Sequence, residues 1–122
     1  MRKFLRISTI FITLILFSCN DNSDEVVTTC KTNNPLQDIA WLKEIKTNFE
    51  IQVLVHKVKI VQYTYKNNTV FLIDRCVNCP DTQTVVYSCT KEVICTFGGI
   101  SGENTCPNFE NEATNKIVLW EN

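Results

Sequence analysis

The chain has 122 residues, with 12 Lys+Arg against 13 Asp+Glu, one His, a formal net charge of −1, and 7 Cys beside only 3 Gly and 3 Pro. That length allows one small domain, and the charge balance supplies none of the clustered basic surface that a phosphate backbone requires, so no nucleic-acid partner is expected. So many cysteines in so short a chain point to an oxidising compartment and a disulfide-braced fold.

At the N-terminus, Arg2, Lys3 and Arg6 precede an apolar run from Ile7 to Phe17, broken only by Ser8, Thr9 and Thr13. The run is too short to cross a hydrocarbon layer about 30 Å thick, and it ends in Leu16-Phe17-Ser18-Cys19, a lipobox. The segment resembles the bacterial lipoprotein signal, which implies a signal peptide over 1–18, cleavage before Cys19 and lipid on its sulfur. Acyl chains contribute about 0.8 kcal/mol per buried CH₂, so two or three of them make a stable membrane anchor. Removing residues 1–18 takes away three of the twelve basic residues and no acidic one, leaving nine against thirteen, a net charge near −4. The one modest basic group, Lys43, Lys46, Lys57 and Lys59, is interleaved with acids and apolar residues and reads as a solvated face.

Residues 19–33 read as the lipidated Cys followed by a polar, flexible tether. Its acidic start, Asp21, Asp24 and Glu25, is similar to the signal that carries some Bacteroidota lipoproteins to the outer face of the outer membrane, but Asn22 and Ser23 interrupt it. The expected location is the outer membrane, with the periplasmic and cell-surface sides both open.

A single domain is expected over 34–122. Asn34 as N-cap, Pro35 at the first helical position and Gln37 at the third predict a helix opened by a capping box. Leu36, Ile39, Leu42, Ile45 and Phe49 form its apolar stripe, with Trp41 half-buried at the edge. Alternation at Ile51, Val53 and Val55 predicts a short extended stretch, followed by a bend near His56 and Lys57 and a strand from Val58 to Lys66. Asn67-Asn68 predicts a hairpin turn into Thr69 to Asp74, with Tyr65 opposite Val70 and Tyr63 opposite Leu72. Further strands are expected at Thr84 to Cys89, Val93 to Phe97 and Ile117 to Trp120. The fold class is α+β: one N-terminal helix packed on a four- to five-stranded antiparallel sheet, braced by disulfides.

With Cys19 given to lipid, Cys30, Cys76, Cys79, Cys89, Cys95 and Cys106 remain, an even set that reads as three disulfides among 15 possible connectivities. Loop geometry favours Cys95 with Cys106. Cys89 would then join Cys76 or Cys79, and the other of these would hold Cys30. Cys76-Val77-Asn78-Cys79 is also a candidate redox pair, but Pro80 and Asp81 lead toward a strand and not toward the helix that stabilises a thioredoxin-like thiolate. Cys89 and Cys95 are spaced too widely to complete a zinc knuckle with it, and haem attachment needs His where Pro80 stands. His56 reads as a structural histidine in an apolar stretch. Glu103, Glu110 and Glu112 lack the spacing of a calcium loop. No nucleophile elbow, zinc-protease or phosphate-loop motif occurs, so neither catalytic residues nor cofactor or metal is expected.

The stretches Asn34 to Glu44, Tyr63-Thr64-Tyr65-Lys66, Val70-Phe71-Leu72-Ile73, Val86-Tyr87-Ser88-Cys89, Ile94 to Gly99 and Cys106-Pro107-Asn108-Phe109 together resemble an uncharacterised domain of unknown function found in short Bacteroidota lipoproteins. The resemblance runs from about Asn34 to Trp120. The chain departs from it at Thr90-Lys91-Glu92, where members often carry Gly. It implies an anchored, exported domain and brings no activity. The expected role is that of a binding module in the cell envelope whose partner is an unidentified envelope or extracellular protein. Its contact surface is expected on the disulfide-closed loop with Phe97, Ile100 and Phe109. A thiol-disulfide protein using Cys76 and Cys79 is the runner-up, and a structural envelope protein the third reading.

Overall fold

The computed structural model describes residues 30–122; the signal segment, Cys19 and most of the tether lie outside the described residues. A five-stranded antiparallel sheet dominates, built from β1 (Lys59–Tyr65), β2 (Asn68–Asp74), β3 (Gln83–Tyr87), β4 (Val93–Gly98) and β5 (Thr114–Glu121) in the order β4-β3-β2-β1-β5. The first four strands form a meander, and β5 returns to the free side of β1. Ser88 organises the β3–β4 turn: its buried hydroxyl accepts the backbone N–H groups of Thr90 and Glu92 at 3.2 and 3.1 Å.

The expected single helix is two: α1 (Pro35–Asp38) and α2 (Ala40–Ile51), separated by Ile39 in an extended conformation with φ −96° and ψ 103°. A β-branched residue gives up little by leaving the helix, and Ile39 still packs with Leu36, Leu42, Ile45 and Phe49. The capping box does not form. Asn34 makes no side-chain cap, and its N–H donates instead to the Thr32 hydroxyl, which itself donates to Asp38.

The expected extended stretch at Ile51, Val53 and Val55 is also corrected. α2 runs through Ile51, and neither β2 nor β5 reaches far enough to pair with the residues that follow. Without a ladder the alternation has nothing to bury against: Val53 is 97 % and Val55 86 % exposed, while Leu54 turns inward.

The hairpin turn falls one residue earlier than expected, on Lys66 and Asn67, with φ 48° and 62°. The register is accordingly displaced by two, with Tyr63 opposite Val70 and Val61 opposite Leu72. A slip of two keeps every side chain on its intended face, where a slip of one would have inverted them all.

The sheet is buried on both faces. Val70, Phe71, Leu72 and Ile73 are all buried, so this central strand sends alternate side chains into two cores. Ile60, Phe71 and Ile73 pack under α2, where Trp41 meets Phe71 edge-on at 5.9 Å and Phe49 stacks on Trp120 at 5.8 Å. Val61, Tyr65, Val70, Leu72 and Val86 face the other way, against Cys106 and Phe109. Phe109 opens a third short helix, α3 (Phe109–Glu112), and this segment covers the second face.

Three cysteine pairs stand at disulfide distance: Cys30–Cys89 and Cys95–Cys106 with Cα atoms 5.7 Å apart, and Cys76–Cys79 at 5.4 Å. The pairing of Cys89 with Cys76 or Cys79 is therefore corrected. Cys89 lies in the β3–β4 turn on the helical face, where Trp41 Nε1 donates to its carbonyl at 2.9 Å, and the arm carrying Cys30 lies in the same core. A non-reduced digest that cuts between Cys79 and Cys89 should release Cys30 joined to Cys89 and Cys95 joined to Cys106, with Cys76 and Cys79 bridged within one peptide, and no Cys30–Cys76 or Cys30–Cys79 species. In urea titrations, Phe71→Ala should lose about 3 to 5 kcal/mol by leaving a cavity under α2. Ile100→Ala, at an 87 % exposed position, should stay within about 0.5 kcal/mol.

Candidate functional sites at the crown and the cysteine turn

The segment Phe97 to Phe109 is closed at its base by the Cys95–Cys106 pair and by Thr96 and Thr105. The Thr96 N–H donates to Thr105 Oγ1, and the Thr105 N–H to the Thr96 carbonyl, both at 2.9 Å. Gly98 begins the crown with φ +81°; a Cβ there would stand 3.2 Å from the Thr82 carbonyl, so a side chain would be both strained and crowded. The crown itself makes few contacts, and Ile100 projects from it 87 % exposed.

The three aromatic and aliphatic residues expected to form a contact surface are thus not equivalent. Phe109 is only 3 % exposed, with its ring 5.3 Å from Tyr63, 5.0 Å from Tyr65 and 5.7 Å from Phe97. It is a core residue and is corrected as a contact candidate. Phe97 is half-buried against it, which leaves Ile100 as the side chain free to meet another molecule.

Two hollows border this loop. One of about 260 Å³ lies between Phe97, Asn104, Pro107 and Glu110, and one of about 240 Å³ between Lys66, Asn68, Ile94 and Thr105; both reach Cys106. Each is smaller than the roughly 300 to 1,000 Å³ of typical small-molecule sites. A third hollow, about 480 Å³, is lined by Thr64, Lys66, Asn67, Glu112 and Thr114, with no hydrophobic or aromatic residue among them. Beside the first hollow, burial and then the nearby Glu110 carboxylate raise the Tyr63 phenol above its ordinary pKa of 10.0.

A second group of chemically capable residues lies at the open end of the β1–β2 hairpin, where β2 gives way to the Cys76–Cys79 turn; the crown rises from the same end of the sheet, since Gly98 pairs with Gln83 and the Thr82 N–H donates to the Cys79 carbonyl at 3.4 Å. Here one ligand atom from each of His56, Cys76 and Cys79 lies within 4.8 Å of the others. His56, read from the sequence as an isolated structural histidine, is placed there by the chain leading into β1, whose Lys57 carbonyl accepts the Val77 N–H. Extending the β1–β2 register three residues beyond the Lys59–Asp74 pair brings His56 opposite Val77, in the middle of the Cys-x-x-Cys turn. That pairing was the signal available in the sequence. The turn is fixed by Asp74 Oδ1, which accepts the Cys76 N–H at 3.1 Å, and by the Val77 N–H donating to the Lys57 carbonyl at 2.7 Å.

Residues 48–122 match the family described as Domain of unknown function (DUF6970). The match starts in the second half of α2 and takes in the whole sheet, His56 and five of the six paired cysteines, leaving out Cys30. No curated protein and no solved structure matches the chain. Because the Tyr63 pKa is raised, the stability it lends is intact below pH 10.0 and is lost as pH rises through the folded value. Ultraviolet titration should show Tyr63 ionising above 10.0, and Glu110→Gln should bring that transition to lower pH.

Proposed function

The chain belongs to the DUF6970 family, and from that premise we propose that it is a lipid-anchored cell-envelope domain, of the kind carried by short Bacteroidota lipoproteins, that acts by binding another protein and not by catalysis. Its anchor is the lipid on Cys19, its site the outer membrane, and its partner an envelope or extracellular protein. The observation that carries this reading is the crown Gly98 to Asn104. It is gripped at its base by the Cys95–Cys106 pair, the Thr96–Thr105 hydrogen bonds and the buried Phe109 ring, and it presents Ile100 to solvent. An ordered base and an exposed apolar tip lower the entropy lost on association.

A second reading, a thiol-disulfide role for Cys76 and Cys79, is favoured by one observation: these two stand at bonding distance from each other and not from Cys30 or Cys89. A bond closing so short a loop restrains the unfolded chain by only about 2 kcal/mol, against about 4 kcal/mol for the Cys30–Cys89 bond, whose partners are 59 residues apart.

Crosslinking in native membranes tests the main reading. Ile100→Asp should remove the crosslinked neighbours seen with the parent chain, whereas Ile117→Asp, on the outer strand β5, should keep them. Neighbours unaffected by Ile100→Asp would refute the crown as the contact surface. Cys19→Ser should shift the protein from the membrane to the soluble fraction.

A further inference from the structure

We propose that His56, Cys76 and Cys79 form a thiol-gated site for a soft or borderline metal cation, of the Zn²⁺ or Cu⁺ class. The site is closed while the two sulfurs are joined and opened by reduction. It is independent of the binding crown, and it rests on the second reading only in requiring that the Cys76–Cys79 bond can be reduced.

The donor set is the first argument. One imidazole nitrogen and two thiolates are ligands that zinc and cuprous ions prefer, at about 2.0 to 2.1 Å for nitrogen and about 2.3 Å for sulfur around zinc. Donors sharing one tetrahedral ion stand about 3.5 Å from one another at those bond lengths. The three donors here already fall within 4.8 Å, so side-chain rotation alone brings them to a common centre once the sulfur–sulfur bond is gone.

Pre-positioning is the second. His56 lies in a stretch with no regular secondary structure, yet its backbone is held at successive residues. Asn122 Nδ2 donates to the His56 carbonyl at 3.4 Å, the Val77 N–H donates to the Lys57 carbonyl at 2.7 Å, and the Val58 N–H donates to Asn122 Oδ1 at 2.8 Å. One of these ties reaches the cysteine turn itself. The histidine and the turn therefore keep their relation when the disulfide opens, because the hairpin and the C-terminal residue hold it.

Accessibility is the third. Cys76 is 9 % exposed, Cys79 half-buried and His56 exposed, so the site has a protein floor and an open side. Three protein ligands leave the fourth position to water or to a donor from outside, the arrangement of an exchangeable site and not of a closed structural one.

Opening the site is a two-electron step. A dithiol attacks one sulfur, the Cys76–Cys79 bond breaks, and after the second exchange both cysteines leave as thiols while the dithiol becomes a disulfide. Binding of Zn²⁺ then releases the two thiol protons as the Zn–S bonds form. The Cys30–Cys89 and Cys95–Cys106 pairs lie in the two cores and contribute no ligand to the site.

The experiment uses the full chain treated with a dithiol and freed of it under anaerobic conditions. Alkylation and mass spectrometry report which cysteines are reduced, and near-ultraviolet dichroism reports whether tertiary packing survives. Zn²⁺ and Cu⁺, each offered alone in competition with a chromophoric chelator, report binding. The reduced chain should take one equivalent of at least one of the two ions, the oxidised chain should bind at least tenfold more weakly, and His56→Ala should weaken the reduced chain more than about tenfold while leaving the cysteines equally reducible. Binding by the oxidised chain as tight as by the reduced one overturns the gate. Unchanged affinity in His56→Ala overturns the ligand set. Reducible cysteines with no bound ion overturn the metal site and leave the redox reading standing, whereas a bond that opens only with loss of the dichroism signal overturns both.

Discussion

Val70, Phe71, Leu72 and Ile73 are buried in succession, and the rest of the molecule follows from that constraint. A strand that sends apolar groups to both faces needs a cover on each, and in a chain this short neither cover is large. α1 and α2 supply one with their narrow stripe. The segment Phe97 to Phe109 supplies the other with little more than one ring inserted between Tyr63 and Tyr65. Each cover is then fastened by its own cysteine pair. Cys30–Cys89 lies in the helical core, where the Trp41 indole also grips the Cys89 carbonyl, and Cys95–Cys106 lies in the opposite one. The third pair fastens no cover. Its sulfurs stand beside a histidine at the end of the hairpin, and this difference in structural duty separates it from the other two.

The parts of this architecture legible in the sequence are those set by local period and turn chemistry. The spacing from Leu36 to Phe49 gave the buried stripe, and Trp41 sits at its half-buried edge as its place in the pattern implies. The alternating runs gave the strands to within a few residues, because their faces are buried against something. Where alternation had no partner strand, at Ile51, Val53 and Val55, the same pattern misled: period measures what could be buried, and pairing decides what is. The turn falls on Lys66-Asn67, where both residues take positive φ, and Asn68 opens β2 opposite Tyr65.

The candidate sites were less legible, for a different reason. Phe109 looks like a loop residue because Pro107 and Asn108 precede it, but nothing in the local pattern reveals that the second sheet face lacks a cover until the full strand order is known. Cysteine connectivity has the same character, since Cys30 and Cys89 meet only after helix and sheet have packed. His56 and the Cys-x-x-Cys turn are an intermediate case. They are distant in sequence, yet the hairpin brings them together under either the expected or the observed register, so strand pairing carried information that the motif alone did not.

The Cys30–Cys89 bond has a mechanical consequence. Tension entering the chain ahead of Cys30 crosses directly to Cys89, and from there it needs only the short run to Cys95 and the Cys95–Cys106 bond to reach the base of the exposed crown. Helices α1 and α2 and the β1–β2 hairpin lie within the closed loop between Cys30 and Cys89, off that line of force. A domain held by its N-terminus and pulled by a partner at residues 98–104 would thus transmit the strain mainly through covalent links and one edge of the sheet, sparing the packing of the helical core.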